Sequence, residues 1–493
     1  MTSLGRRPAS RAALAGALAL ALAGCGGSIG ENALVASPGP SDLAAQSRVA
    51  PSRPPVVARG EEHVKLIGAY GGIYENPAIE ALVEGIVARL MAVSDLTDRT
   101  VRVTILNSPA VNAFALPSGD IYVTRGLLAL ANDESELAAV IAHEVAHVAA
   151  DHARLRQRQA EAAALAERVS KVVADPDFAA DSRDTAELSR AVFSQQQELE
   201  ADRVGVETLA AAGFDPFAAA RFLEAMARFA ALPALSAASE AGPGFLSTHP
   251  ATPERTEQAK RIARRFFGPD VGRKARAPYL RSLDGLLYGD DPREGYVRGR
   301  EFAHVDLGVA FTVPEGYVLK NTSSAVLATD GATTAVRFDV APVPQGTTLR
   351  DYLGSGWVKG LIKDSVREEM LGSVPVATAS ALVEDWSFRI GVARGEGRIF
   401  RFIFASSHPA SAYEAAFRDT LASFRLLSPS QRAAMRPLRI RVLPVRENES
   451  AATLAARMTG VEPPMALPLL RVLNGLGEGE DLAPGDLVKI VTE

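Results

Sequence analysis

Cysteine is almost absent: 493 residues hold one, Cys25, so no disulfide framework staples the chain. A basic excess is absent as well. Lys and Arg number 53 against 58 Asp and Glu, for a net charge of −5. That gives no footprint for a nucleic-acid partner, which needs a clustered basic face. Long apolar runs are missing too. The run from Ala12 to Ala23 is shorter than the roughly 20 residues that span a bilayer, and residues 61–267 contain no long apolar span. Histidines number only seven, which makes any close pair of them informative. What is present is ordinary for a folded chain. Hydrophobic residues make up 47% and charged residues 23%, excluding wholesale disorder, and the length allows about three domains at roughly 150 residues each.

The amino terminus carries Arg6, Arg7 and Arg11, then the short apolar run, then Gly24-Cys25-Gly26. This is the pattern of a secretory signal. Leu22-Ala23-Gly24-Cys25 resembles the lipobox of bacterial lipoproteins, which implies cleavage before Cys25 and lipidation of that residue. Gly26, where Asp would retain a lipoprotein at the inner membrane, implies sorting to the outer membrane. The alternative is an ordinary signal peptide with an incidental cysteine. Residues 1–25 are thus expected to be a lipoprotein signal peptide, and the Ser/Pro/Gly/Ala-rich residues 26–60 a disordered tether.

Residues 61–267 have mostly helical periodicity. The exceptions, 101–108 and 111–126, alternate apolar residues around Pro117-Ser118-Gly119-Asp120 and read as strands joined by a turn. Residues 268–300 are turn-rich and read as a linker. Strand composition with two helical stretches predicts an α+β domain over 301–428, in which His304 and His408 are isolated. Residues 438–493 read as strand, helix, helix, strand, with turns at Asn474-Gly475 and Pro484-Gly485. Through RVLNGL and LAPGDLVKI this segment resembles a divergent LysM module, which implies peptidoglycan as a partner; a simple packing module is the alternative. The expected fold class is therefore multidomain: a mainly α domain with a small β-sheet, an α+β domain, and a small βααβ domain.

The stretch DESELAAVIAHEVAHVAADH (133–152) predicts a helix capped by Asp133, with Glu136 at capping-box spacing. Leu137, Val140, Ile141, Val145 and Val148 form one apolar stripe. His143 and His147, one turn apart, can aim ring nitrogens at one ion, and Glu144 projects beside them. This is the His-Glu-x-x-His arrangement of two zinc ligands and a general base. A catalytic zinc takes a third protein ligand. In the helical stretch 193–216, Glu198 and Asp202 share a face while Glu200 points away. Glu198 is the predicted third ligand, and Asp202 the acceptor that fixes a histidine tautomer.

These two motifs together resemble the zinc metallopeptidase family of HtpX and the CAAX prenyl proteases, on its periplasmic BepA-like branch, over roughly residues 61–267. The resemblance implies a zincin peptidase domain holding one Zn2+ per chain. It also implies that Asn112, Ala113, Phe114 and Ala115 form a substrate-lining edge strand, and that STHPATPER (247–255) supplies His249 and Arg255. An extended substrate would add as a strand beside 112–115, which suits unfolded or misassembled envelope proteins. Glu144 would act as the base. His249 has two readings: an oxyanion donor acting with Arg255, or a fourth zinc ligand that holds the enzyme off. His152, five residues past His147, is expected to point elsewhere. The competing functions are a zinc-bound, chaperone-like assembly factor and a cell-wall tether, neither of which cleaves.

Overall fold

The computed structural model describes residues 56–96, 101–116, 118–155, 194–232, 245–268, 271–322, 325–331, 333–343, 346–395 and 397–493. Cys25 and residues 26–55 lie outside this set. No described helix is long and apolar enough to cross a membrane. From Val56 onward the described chain contains helices and four sheets.

Helix α1 covers Val56–Ala69 and α2 covers Pro77–Met91. The start of α2 is set locally: Pro77 sits in the first turn, and the Asn76 side chain accepts the Ile79 amide at 3.2 Å. Strands β1 (Arg102–Leu106), β2 (Ala113–Ala115) and β3 (Asp120–Thr124) form a sheet in the order β1-β3-β2. β1 runs parallel to β3 and β2 antiparallel to it, with Phe114 opposite Tyr122. β2 is therefore an edge strand with one side unpaired within the sheet.

Among the described residues, α3 (Arg125–Leu130), α4 (Glu134–Ala149), α5 (Gln195–Ala211), α6 (Ala218–Ala230) and the short α7 (Phe245–Thr248) follow, before α8 (Pro253–Ala263). Asp133 caps α4, accepting the Glu136 amide at 2.8 Å, while the Glu136 carboxyl reaches back to the Asn132 amide. The single apolar stripe expected for α4 understates its burial. Every residue from Glu134 to His147 is buried, because α2, β2, α5 and α6 all pack on it. Ala138, Ala139, Ala142 and Ala146 keep the other faces narrow enough for neighbours to close in. One close approach is at Gly205 of α5, where an added Cβ would lie 3.3 Å from the His143 amide nitrogen. This approach sets α5 directly beside the histidine pair.

Residues 268–300 are not the linker expected. They hold helix α9 (Arg276–Ser282) and strand β4 (Leu287–Tyr288), and Tyr279, Leu280, Leu283 and Leu286 are at most 1% exposed. These four side chains recur at helical spacing, but the surrounding Gly, Pro and charged residues mask the pattern.

The α+β region begins at β5 (Tyr296–Arg298), which joins β6 (Glu301–His304), β7 (Val309–Thr312) and β15 (Arg425–Leu426) in one sheet. A seven-stranded antiparallel sheet follows, from β8 (Val318–Asn321) through β9 (Val326–Thr329), β10 (Thr334–Pro342), β11 (Leu361–Leu371), β12 (Val374–Val383) and β13 (Trp386–Gly395) to β14 (Arg398–Ser406). Helix α10 (Leu349–Gly354) packs on β11–β13, and α11 (Glu414–Ser423) packs on β7 and β13. His304 accepts the Leu307 amide in a turn.

The carboxy-terminal residues form β16 (Leu438–Pro444), α12 (Ala451–Ala455), α13 (Pro463–Asn474) and β17 (Leu487–Thr492). β16 pairs with both β17 and β4, and Ile440, Leu470 and Val491 belong to the same apolar core as Leu128 and Leu137. Gly475 ends α13 in the left-handed region at φ 70°. Asn474 is buried and exchanges hydrogen bonds with the backbone of Lys489. The Lys489 side chain, wholly buried, donates to the carbonyls of Ala129 and Ala131 at the end of α3, at 2.8 and 2.7 Å.

Candidate metal centre

Four buried groups converge between α4, α5 and the segment after α7. The ring nitrogens of His143, His147 and His249 and a Glu198 carboxylate oxygen lie within 4.8 Å of one another. His147 Nε2 is 3.0 Å from His143 Nε2 and 3.4 Å from Glu198 Oε1. His249 Nδ1 is 2.9 Å from Glu198 Oε1 and 3.3 Å from His143 Nε2. A tetrahedral ion with N and O ligands at about 2.0–2.1 Å separates those ligand atoms by about 3.3 Å. Two imidazoles, a carboxylate and a third imidazole at these spacings fit a divalent metal.

The backs of these groups are held too. His143 Nδ1 lies 3.0 Å from Asp202 Oδ1, the carboxylate–histidine arrangement that leaves Nε2 free to face an ion. Arg255 forks onto Asp202, with Nε and Nη2 each 2.7 Å from its two oxygens, and places Nη1 2.6 Å from Glu198 Oε2. Its guanidinium is buried and engaged by two carboxylates. That accounts for the donors that an oxyanion role for Arg255 required.

Electrostatics follow from this packing. Burial disfavours charge on His143, but its contacts with Asp202 and Glu198 outweigh it and raise the pKa to about 9. Burial, then the neighbouring His143, pushes His147 well below the ordinary imidazole value. For Glu198, burial is outweighed by the three histidines, which hold the carboxyl well below its usual range. Asp202 is lowered likewise, against its burial, by Arg255 and His143. Burial raises Glu144. Its Oε1 has no hydrogen-bond partner among the described residues and sits 3.7 Å from His249 Nε2. The Ala115 amide of edge strand β2 also bonds this carboxyl. A raised, under-satisfied carboxyl beside a metal-binding cluster is what a general base requires.

The edge strand has an aromatic flank. Phe114 stacks on Tyr122 with ring centroids 5.0 Å apart and packs against Tyr70 at 5.4 Å. Asn112 donates its side-chain amide to the Tyr70 hydroxyl at 3.1 Å, so Asn112 supports the strand's approach. Phe245 stacks on His249 with centroids 4.5 Å apart. Its amide donates to the Val111 carbonyl, tying the short helix that precedes His249 to the chain entering β2.

His152 is not directed elsewhere. Its Nδ1 is 3.0 Å from His147 Nδ1, and its Nε2 is 3.5 Å from Glu200 Oε2. Helix α4 ends at Ala149, and Asp151 adopts φ 54°, which turns the chain back beneath His147. Ideal helical spacing cannot show this; the polar Asp151-His152 pair just past an alanine-rich run was the available signal.

Comparison with known proteins agrees with the arrangement. Residues 77–263 match the sequence model of peptidase family M48. The beta-barrel assembly-enhancing protease of Escherichia coli (strain K12) is 29% identical over 217 residues, covering 41% of this chain and 43% of that protein. The mitochondrial metalloendopeptidase OMA1 of Schizosaccharomyces pombe is 34% identical over 184 residues, covering 35% of this chain and 50% of that one. The chain thus spans about half the length of the curated relatives it matches. Through residues 77–263, the chain is similar to peptidase family M48.

Proposed function

We propose that this protein is a zinc-dependent endopeptidase of the bacterial envelope that hydrolyses unfolded or misassembled proteins and is gated by His249. The observation that carries the reading is the buried group of His143, His147, Glu198 and His249 with the Glu144 carboxyl beside it. His143, His147 and Glu198 would hold the zinc, which supplies Lewis acidity toward water and the scissile carbonyl. Glu144 takes a proton from the attacking water and returns it to the leaving amine. The bond from the Ala115 amide to Glu144 supports a proton transfer beside the strand where an extended substrate would pair. Backbone pairing along 112–115 tolerates many sequences, which suits non-native chains.

His249 stands among the ligand atoms, and a fourth protein ligand closes a zinc site to water. We therefore read His249 as an off-switch that leaves when the segment carrying it moves. Arg255 holds Asp202 and Glu198 in place. Lipidation at Cys25 would tether the enzyme to the periplasmic face of the outer membrane, and the LysM-like segment 438–493 would bring it to peptidoglycan.

The test is degradation of an unfolded protein by the zinc-loaded chain and by its Glu144→Gln variant. Cleavage lost in the variant, with zinc still bound, supports the reading. Measurable and equal cleavage by both overturns Glu144 as the base, whereas no cleavage by either is the closed site that His249→Ala should open.

A further inference from the structure

We propose that His152, backed by Glu200, is a positioning residue that sets the tautomer and orientation of the metal ligand His147. The proposal deepens the zinc-site reading above and rests on it.

A histidine that offers Nε2 to a metal must carry its proton on Nδ1, and that proton needs an acceptor. His143 finds a carboxylate, Asp202. His147 instead faces a second imidazole: Nδ1 to Nδ1 is 3.0 Å, with the rings nearly perpendicular at 72°. With the His147 proton on Nδ1, the His152 Nδ1 lone pair must accept it. The proton of His152 is then on Nε2, which points to the Glu200 carboxylate at 3.5 Å. Each ring fixes the next. His152 is 2% exposed, so water does not compete for its Nδ1, whereas the Glu200 side chain is half-exposed and closes the chain at the surface. The left-handed Asp151 brings His152 into reach, a conformation that aspartate tolerates better than most residues.

The full-length protein is compared as wild type, His152→Phe, His152→Gln and Glu200→Gln. Zinc affinity is read by competition with a chromogenic chelator, and the ligand field by the visible spectrum after cobalt substitution. Phe keeps the ring's bulk without an acceptor, and should weaken zinc by about 10–100-fold and alter the cobalt spectrum. Gln offers a carbonyl acceptor and should stay within about threefold of wild type. Glu200→Gln should fall between the two. Wild-type affinity in His152→Phe overturns the proposal, as does an equal loss in His152→Phe and His152→Gln, which marks a packing role. Should His152→Phe not fold, wild-type affinity and spectrum in Glu200→Gln together with a tenfold loss in His152→Gln overturn it as well. If wild type binds no zinc, it is the metal-centre reading that fails, a result separate from any of these.

Discussion

His249 places Nδ1 2.9 Å from Glu198 Oε1, inside the group of atoms that would bind the metal and not at its rim. A donor aimed at an oxyanion must stand where substrate charge develops, whereas a closing ligand must stand here. His249→Ala is therefore expected to raise the degradation of an unfolded protein, measured as the initial rate of fluorescent peptide release. A fall in rate with zinc retained would assign His249 to catalysis.

Arg255 neutralises two buried carboxylates at once. Removing one partner of such a pair leaves buried charge uncompensated, at a cost of about 3–5 kcal/mol. Arg255→Met is expected to lower denaturant stability by about that amount. Arg255→Lys is expected to recover little, because one ammonium cannot reproduce the planar fork.

A pH dependence follows from Asp291, which is buried. Burial raises its pKa, but hydrogen bonds from Arg293 and Asn107 outweigh this and bring it to about 2. The unfolded value is about 3.9, so Asp291 contributes its full stabilisation above about pH 4 and loses it as pH falls toward 2. Asp291→Asn should be less stable than wild type at pH 7, and the gap should narrow between pH 4 and pH 2 in urea titrations. A constant gap would contradict the assignment.

Lys489 joins the carboxy-terminal strand to the carbonyl end of α3, one turn before α4 begins. Lys489→Met leaves those carbonyls without their donor, an expected loss of about 1–3 kcal/mol. Thermal unfolding should show it as a shift of one cooperative transition, because residues 438–493 share a core with the family-matching region.

The candidate site was largely legible where it depends on short-range spacing. His143, Glu144 and His147 lie on one helix, and Glu198 with Asp202 on another, so helical periodicity alone predicts which of them face together. What spacing cannot reveal is chain reversal. His152 looked misdirected because an ideal helix was extended past Ala149, where Asp151 turns the chain. Arg255 looked available to substrate because nothing in its local sequence announces that Asp202, 53 positions away, would take its fork. The helix at 276–282 was hidden for a different reason: its buried Tyr279 and Leu280, with Leu283 and Leu286 just beyond, are set among residues that favour turns. Burial of α4 on all faces depended on alanines, which carry no clear periodic signal.

The measurement that tests the central claim most directly is cleavage of an unfolded protein by three zinc-loaded chains: wild type, His249→Ala, and His249→Ala with Glu144→Gln. His249→Ala is expected to cut faster than wild type, and adding Glu144→Gln to lower the rate by about 10²–10⁴-fold while zinc stays bound. An inert His249→Ala chain with zinc in place, or an undiminished rate in the double variant, would contradict that claim.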